Sequence, residues 1–333
     1  MALTADQITI AITVFDRRDF VEQAIESALN QTVPVRVMVV EDCGPDPALR
    51  KFIEERFGTR IQYHRNAHRR GLFDNWNACL ELCPTRWLSI LHDDDFLHPG
   101  FIAAMLELSA RAPDRGFYFG QVTIIDSKGM QLAPPDFPSQ ARWREIDLVS
   151  FANADPVLFP GQLFRADYAR DLKGFRPTSL FAGDWEMWFK LSAAHGNAQT
   201  NQPVAFVRAH SGSERGTRQI ERSGKKFGLD NVQRKRNLAI LRKMGHEVRF
   251  DRQPRDWPPI PSKLLIQNGA VFSPRILAYN VRLLLQSRAP HWRYALLQFG
   301  VRLLGAPFLK LLSQCWNYCE TRAQSRIKNR TIA

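Results

Sequence analysis

Cysteine is scarce. The chain has five in 333 residues, too few and too oddly numbered for a disulfide framework at this length. Cys79 and Cys83 are four apart, as are Cys315 and Cys319, the spacing of packed neighbours on a helix. No group of His and Cys residues has the spacing of a zinc site, so all five thiols are expected to be reduced. A secretory signal is also missing. Asp6 and Gln7 come before the first apolar run, Ile8–Val14, which already reads as a strand. No uncharged apolar stretch reaches the length of a bilayer span. The expected setting is therefore cytoplasmic, with no membrane crossing. Internal repeats and low-complexity segments are absent as well.

What is present is a globular composition: 44% hydrophobic and 24% charged residues, not that of a disordered chain. The net charge of +13 is uneven. Residues 1–204 carry 21 Lys/Arg against 26 Asp/Glu, whereas residues 205–333 carry 25 against seven. The basic excess lies wholly in the C-terminal part and suits a phosphate-rich or anionic-lipid partner. Its cations alternate with aliphatic runs and few aromatics, so the stacking platforms of a nucleic-acid-binding protein are not evident, and no nucleic-acid partner is expected.

Along the chain, Ile8–Val14, Val35–Val40, Ile61–Tyr63 and Trp87–Leu91 read as strands. They alternate with helical patterns from Asp19, from Pro47 to Phe57 and from Asn75 to Cys83. This alternation implies parallel strands with right-handed crossovers, an open α/β sheet whose ligands bind beyond the carboxyl ends of the strands. Asp16, Asp42 and Asp93–Asp95 all fall at such ends. Three consecutive carboxylates repel one another. At the end of a core strand they suit a hard cation such as Mg²⁺ or Mn²⁺, although a solvated acidic turn is the plainer reading. Further on, Phe101–Ser109 reads as a helix, Phe117–Ile125 as a strand running into a turn at 126–129, Ala182–Ala194 as a helix and Val204–Arg208 as a last strand. Residues 219–244 form a long basic helical pattern, a proline-rich linker covers 251–261, and broken apolar runs with single arginines follow over 263–320.

Read together, these residues resemble the family 2 glycosyltransferases of bacterial type, inverting enzymes of the GT-A fold that use nucleotide sugars. The resemblance covers residues 7 to about 215. Ile12-Thr13-Val14-Phe15-Asp16-Arg17 is similar to the family's Pro-Thr-Tyr-Asn-Arg opening, with Thr13 where proline is usual. Ser27, Leu29, Gln31 and Thr32 resemble the ending of its first helix. Glu41-Asp42-Cys43-Gly44 resembles the acidic nucleotide-binding turn, and Gly71-Leu72-Phe73-Asp74-Asn75-Trp76-Asn77 the stretch that closes over the nucleotide. His92-Asp93-Asp94-Asp95 resembles the DxD region with His92 in place of its first acid, and Gly183-Asp184-Trp185-Glu186 the acceptor-side "ED" motif with Gly183 in place of Glu.

The resemblance implies a GT-A open mixed sheet flanked by helices over residues 1–215, with a basic helical extension over 216–333. It implies Mg²⁺ or Mn²⁺ held by Asp94 and Asp95, and a nucleotide-diphospho-sugar donor contacted by Thr13, Phe15, Asp16, Asp42, Gly71, Asn75, Asp93 and His210. Asp184 becomes the general base for a glycan or lipid-linked acceptor, in polysaccharide, lipopolysaccharide or O-antigen synthesis. Each residue also has a plainer role. Asp16 is a helix-entry residue and Asp184 a helix N-cap, and His210 is structural. Of Trp185 and Trp188, which could stack on a sugar, Trp188 is expected in the core and Trp185 stays open between the two roles. Arg208 and His210 resemble a late basic motif near the diphosphate. Apolar runs such as Tyr294–Val301 among the tail's cations suggest a peripheral contact with an anionic membrane surface. Two further alternatives are a sugar nucleotidyltransferase and a binding protein that keeps the fold without the activity. The first is disfavoured because Phe15-Asp16-Arg17-Arg18 offers no glycine to cradle a triphosphate.

Overall fold

The computed structural model describes residues 3–133, 142–176, 182–209 and 225–248. Its first half alternates strand and helix: β1 (Ile8–Val14), α1 (Arg18–Leu29), β2 (Arg36–Glu41), α2 (Pro47–Phe57), β3 (Gln62–Arg65), α3 (Leu72–Leu82) and β4 (Trp87–His92). All seven residues of β1 are buried, because helices cover both faces of the sheet and leave no position for a solvated side chain. Its two polar residues bond within the protein. The Thr9 and Thr85 hydroxyls lie 2.7 Å apart, and Thr13 Oγ1 donates to the Leu91 carbonyl at 3.4 Å. Helix α1 turns Val21, Ala24, Ile25 and Ala28 inward. Helix α2 starts where Asp46 accepts the Ala48 N–H at 2.9 Å, with Pro47 in the first turn, where no N–H is needed.

The second half comprises β5 (Phe96–Leu97), α4 (Phe101–Arg111), β6 (Phe117–Ile125), β7 (Gln131–Ala133), β8 (Trp143–Arg144), α5 (Leu148–Asn153), β9 (Gln162–Arg165), α6 (Ala166–Asp171), α7 (Gly183–His195), β10 (Asn197–Arg208) and α8 (Lys225–Lys243). The sheet order is β3-β2-β1-β4-β9-β6-β10-β5, with β7 on β6 and β8 on β10. Strands β3, β2, β1 and β4 are parallel, and so are β6 and β10. Strand β9 lies antiparallel to both β4 and β6. Two reversals restore direction, so β1, β2, β4, β6 and β10 all point their carboxyl ends to one edge. The mixed open sheet is as expected.

Strand β10 begins seven residues before the expected Val204. Its opening, Asn197–Thr200, is polar yet buried, because the segment before it supplies partners. Asn197 accepts the Ile146 N–H and donates to the Ile146 carbonyl, both at 3.0 Å, and Gln199 accepts from Arg144 at 2.8 Å. Pro203 sits at an irregularity in the β6–β10 register, where a missing N–H is tolerated. Within α8, Arg234, Leu238 and Leu241 are buried, and Arg234 donates to Asn153. Val232–Val248 belongs to the same compact unit as the described residues up to 209. Among the described residues no helix is long and apolar enough to cross a membrane. The 263–320 region and Cys315/Cys319 lie outside the described residues. Cys79 and Cys83 are free and buried.

Candidate active site

Strand β4 delivers the acidic turn to the edge. Asp93, Asp94 and Asp95 are 6%, 7% and 4% exposed, so this is not a solvated acidic turn. Asp93 Oδ2 accepts the Phe15 N–H at 3.2 Å, which ties the turn to the loop after β1. Arg17, on that loop, donates to Asp94 Oδ2 and stands 3.5 Å from Asp93 Oδ1. Burial pushes the Asp93 carboxyl up to about 7, helped by the Asp94 charge and opposed by Arg17. Asp95 is also raised well above the usual carboxylate range, first by burial and then by Asp94, although it accepts the Arg208 N–H at 2.9 Å.

His92 completes the turn. Its ring stacks with Phe159 at 4.1 Å and Trp76 at 5.6 Å, and these two rings also stack on each other at 4.5 Å. Burial lowers its pKa to about 4, which keeps the imidazole neutral at physiological pH. Nδ1 is 3.9 Å from Asp95 Oδ2, and Nε2 is buried without a hydrogen-bond partner. Donor atoms of His92, Asp94 and Asp95 fall within 4.8 Å of one another. Two carboxylates beside one neutral nitrogen suit Mg²⁺ or, better, Mn²⁺, so the residues present fit the expected metal.

The nucleotide side is built from the turn after β2. Asp42 is 4% exposed and accepts three hydrogen bonds: from Asn66 Nδ2 at 3.0 Å, from the Arg70 N–H at 2.7 Å and from the Gly71 N–H at 2.8 Å. Asn66 also donates to Asn75, which donates to the Val40 carbonyl. Asp42, Gly71 and Asn75 therefore form one bonded group that fixes the start of α3. Glu41, fully buried, accepts from Arg65 and Tyr63 and from the Gly44 N–H. At Gly44 an added Cβ would meet the Phe15 carbonyl oxygen at 2.0 Å, so only glycine lets the turn after β2 press on the loop after β1. Thr13, Phe15 and Asp93 join this edge through the bonds already described. Asp16 sits on the same loop, close enough for its charge to act on Arg17 and Asp93.

On the acceptor side, Asp184 is the second residue of α7, and Ala182 holds the N-cap position without a capping side chain. The N-cap alternative for Asp184 is thus set aside: its carboxylate accepts the adjacent Trp185 N–H at 2.8 Å. It is half-buried, whereas Glu186 two residues on is 2% exposed and paired with Arg176 and Lys190. The glycine at 183 has a packing cause. A Cβ there would meet a Phe73 ring carbon at 2.2 Å, so no side chain fits. Phe73 packs edge-on against Trp76, which stacks on His92, and this aromatic chain links the start of α7 to the acidic turn. Trp185 and Trp188 are both core residues, at 3% and 0% exposure. Trp185 donates to the Phe151 carbonyl.

Arg208 ends β10. Its guanidinium donates to the Asp94 carbonyl at 3.1 Å, to the Asp126 and Ser127 carbonyls, and to Gln23 at 2.7 Å. It also lies over Phe20 at 4.4 Å. These bonds clamp the acidic turn to α1 and to the turn after β6. His210 lies outside the described residues. Arg17 and Glu41 lie within the sequence motifs without an evident role there, and Asn66 lies outside them. The available signal was the arginine pair Arg17-Arg18 after one strand and three carboxylates after another.

Comparison with known proteins identifies a family for the first part of the chain. Residues 9–170 match the sequence family described as Glycosyl transferase family 2. The chain is 30% identical over 155 residues to the succinoglycan biosynthesis protein ExoO of Rhizobium meliloti, spanning 46% of this chain and 43% of that protein. It is 24% identical over 190 residues to an uncharacterized glycosyltransferase of Rickettsia felis, spanning 55% and 31%. It thus matches less than half the length of these curated relatives. Among solved structures, S. aureus TarS 1–349 superposes with a TM-score of 0.54 at 12% identity, covering 94% of this chain and 91% of that one. The same fragment in complex with UDP-GlcNAc also gives 0.54, covering 94% and 92%. At 12% identity the likeness establishes the fold alone. Over residues 9–170 the chain belongs to glycosyl transferase family 2.

Proposed function

We propose that this glycosyltransferase moves a sugar, with inversion, from a nucleotide-diphosphate donor to a hydroxyl of a glycan or lipid-linked acceptor. The observation that carries the reading is the buried acidic turn at the end of β4, bonded to the loop after β1 on an edge that also holds Asp42, Gly71 and Asn75. Asp94 and Asp95, with His92 beside them, would hold Mg²⁺ or Mn²⁺. When bound, such an ion neutralises the charge that grows on a diphosphate leaving group. Asp42 orients the Gly71 loop over the nucleotide. Three hydrogen bonds leave its carboxylate one further acceptor site for a base or ribose donor. Asp184 takes the acceptor hydroxyl's proton on the face opposite the leaving group. The UDP and UDP-GlcNAc complexes of S. aureus TarS support a nucleotide-sugar donor. The named role of the Rhizobium relative supports polysaccharide synthesis.

A thermal-stability panel of UDP-, GDP-, ADP- and CDP-linked sugars, each with and without Mn²⁺, tests the donor. The right donor at 100 times its Kd adds about 2.7 kcal/mol and should raise the melting temperature only when Mn²⁺ is present. No shift with any member would overturn the reading.

The basic tail supports a peripheral contact with an anionic membrane surface, where a lipid-linked acceptor would be presented. Each Lys or Arg near such a surface contributes about 1 kcal/mol. Full-length protein should float with vesicles containing anionic lipid at low salt and remain behind with zwitterionic ones. Equal recovery from both would remove the membrane from the proposal.

A further inference from the structure

The proposed reaction leaves Arg17 without a role, although it lies on the same edge as the acidic turn. Its guanidinium bonds Asp94 Oδ2 and lies 3.5 Å from Asp93 Oδ1, so it occupies Asp94, one of the two carboxylates proposed for the divalent cation. The two carboxylates are buried, but the Arg17 side chain is 37% exposed. The residue is also outside the helix: it precedes α1, with φ −107° and ψ 69°. Other guanidinium groups nearby are engaged elsewhere. Arg18 faces Asp46, Arg70 pairs with Glu81, Arg69 lies over the Phe15 ring, and Arg208 is clamped among carbonyls. The loop carrying Arg17 is held independently, by the Phe15 N–H on Asp93. Its side chain can therefore leave the acids by rotation alone, without disturbing the core.

We infer that Arg17 and the divalent cation compete for Asp94, and that the donor resolves the competition by accepting the Arg17 guanidinium on its diphosphate. The inference rests on the nucleotide-sugar reading above. Its chemistry follows from the guanidinium itself. The planar fork that meets a carboxylate meets a phosphate equally well, whereas a guanidinium and a divalent ion on the same carboxylate repel each other. Before the donor arrives, Arg17 offsets the repulsion among the buried acids. Once the donor brings its own negative charge, the same cation has a partner a short swing away and Asp94 is released. Metal and donor then bind cooperatively, because each favours the arrangement in which Arg17 has left the acids.

The test is a pair of binding measurements on the full chain. Free Mn²⁺ is followed by electron paramagnetic resonance in the native protein, in Arg17→Gln and in Arg17→Lys. The nucleoside diphosphate selected by the stability panel is then titrated at saturating Mn²⁺. Arg17→Gln should bind Mn²⁺ about tenfold more tightly, because a like charge has been removed, and the nucleoside diphosphate about tenfold more weakly. Arg17→Lys keeps the charge without the fork. It should hold Mn²⁺ as the native protein does yet lose nucleotide affinity, and it serves if the glutamine variant does not fold. Mn²⁺ affinity that is unchanged or weaker in Arg17→Gln would show that Arg17 merely supports the turn, and would overturn the competition. Tighter Mn²⁺ with unaltered nucleotide affinity would overturn the transfer to the diphosphate. If the native protein binds neither Mn²⁺ nor any nucleotide, the failure belongs to the donor reading instead.

Discussion

Asp94→Asn should reduce transfer by roughly a thousandfold or more, the scale of losing a main electrostatic contact to the leaving group. It should also abolish the effect of Mn²⁺ on nucleotide binding. Asparagine keeps the shape of a side chain that is 7% exposed, so the loss reports charge rather than packing. The measurements are initial rates with the donor identified by the stability panel, and nucleotide affinity with Mn²⁺ or with EDTA. Equal affinities in the native protein would remove the metal from the site. A pH signature accompanies the mutation. Asp93 titrates near 7 in the folded chain, against about 3.9 when unfolded. A folded value above the unfolded one gives stability that is complete below about 3.9 and lost as pH rises through about 7. The melting temperature of the metal-free protein should therefore fall between pH 5 and 8. Mn²⁺ should restore more of it at pH 8 than at pH 5, because the ion needs the ionised carboxylates. Asp94→Asn removes the neighbouring charge that helps raise Asp93, so its own decline with pH should be shallower.

The strands legible in the sequence are those whose environment is uniform. Strands β1, β2 and β4 are buried on both faces, so the chain needs apolar residues at nearly every position and the run is visible. Strand β9 was invisible for the opposite reason. Gln162–Arg165 has four residues with polar ends, too short to show a period, yet all four are buried at the centre of the sheet. Gln162 is accommodated there because its Nε2 donates to the Ile90 carbonyl at 2.8 Å. That partner comes from a strand 72 residues away, which no local pattern can reveal. The site divides along the same line. Three adjacent carboxylates after an apolar run announce themselves, and so does a turn such as Glu41-Asp42-Cys43-Gly44. The occupation of Asp42 by the 66–71 loop, the Arg17 bridge and the Arg208 clamp depend on which strand ends become neighbours. They appear only once the sheet order is known. Gly183 shows the limit of motif comparison: it is a departure from the family pattern in sequence and a plain consequence of the Phe73 ring in space.

Asp184→Asn should lower transfer by roughly 10²–10⁴-fold, the usual range for general base catalysis, while donor affinity stays near the native value. The position favours a carboxylate that is charged when the acceptor binds. It is the second residue of α7, where unpaired N–H groups and the helix dipole stabilise negative charge. Asparagine retains an oxygen for the Trp185 N–H, so the helix start should survive, and only the ability to take a proton is lost. The neighbouring acid cannot stand in for it. Glu186 is buried and held by Arg176 and Lys190, and freeing it would break both ion pairs. Two readouts separate catalysis from folding. The melting temperature and the donor Kd should match those of the native protein, and the loss should appear in kcat rather than in the donor KM. The dependence of kcat on pH should also lose its acidic limb, since that limb reports the ionisation of the base in the bound complex. Native-like kcat in the variant would leave Asp184 as a residue of the helix start, and the proton acceptor would have to be sought elsewhere.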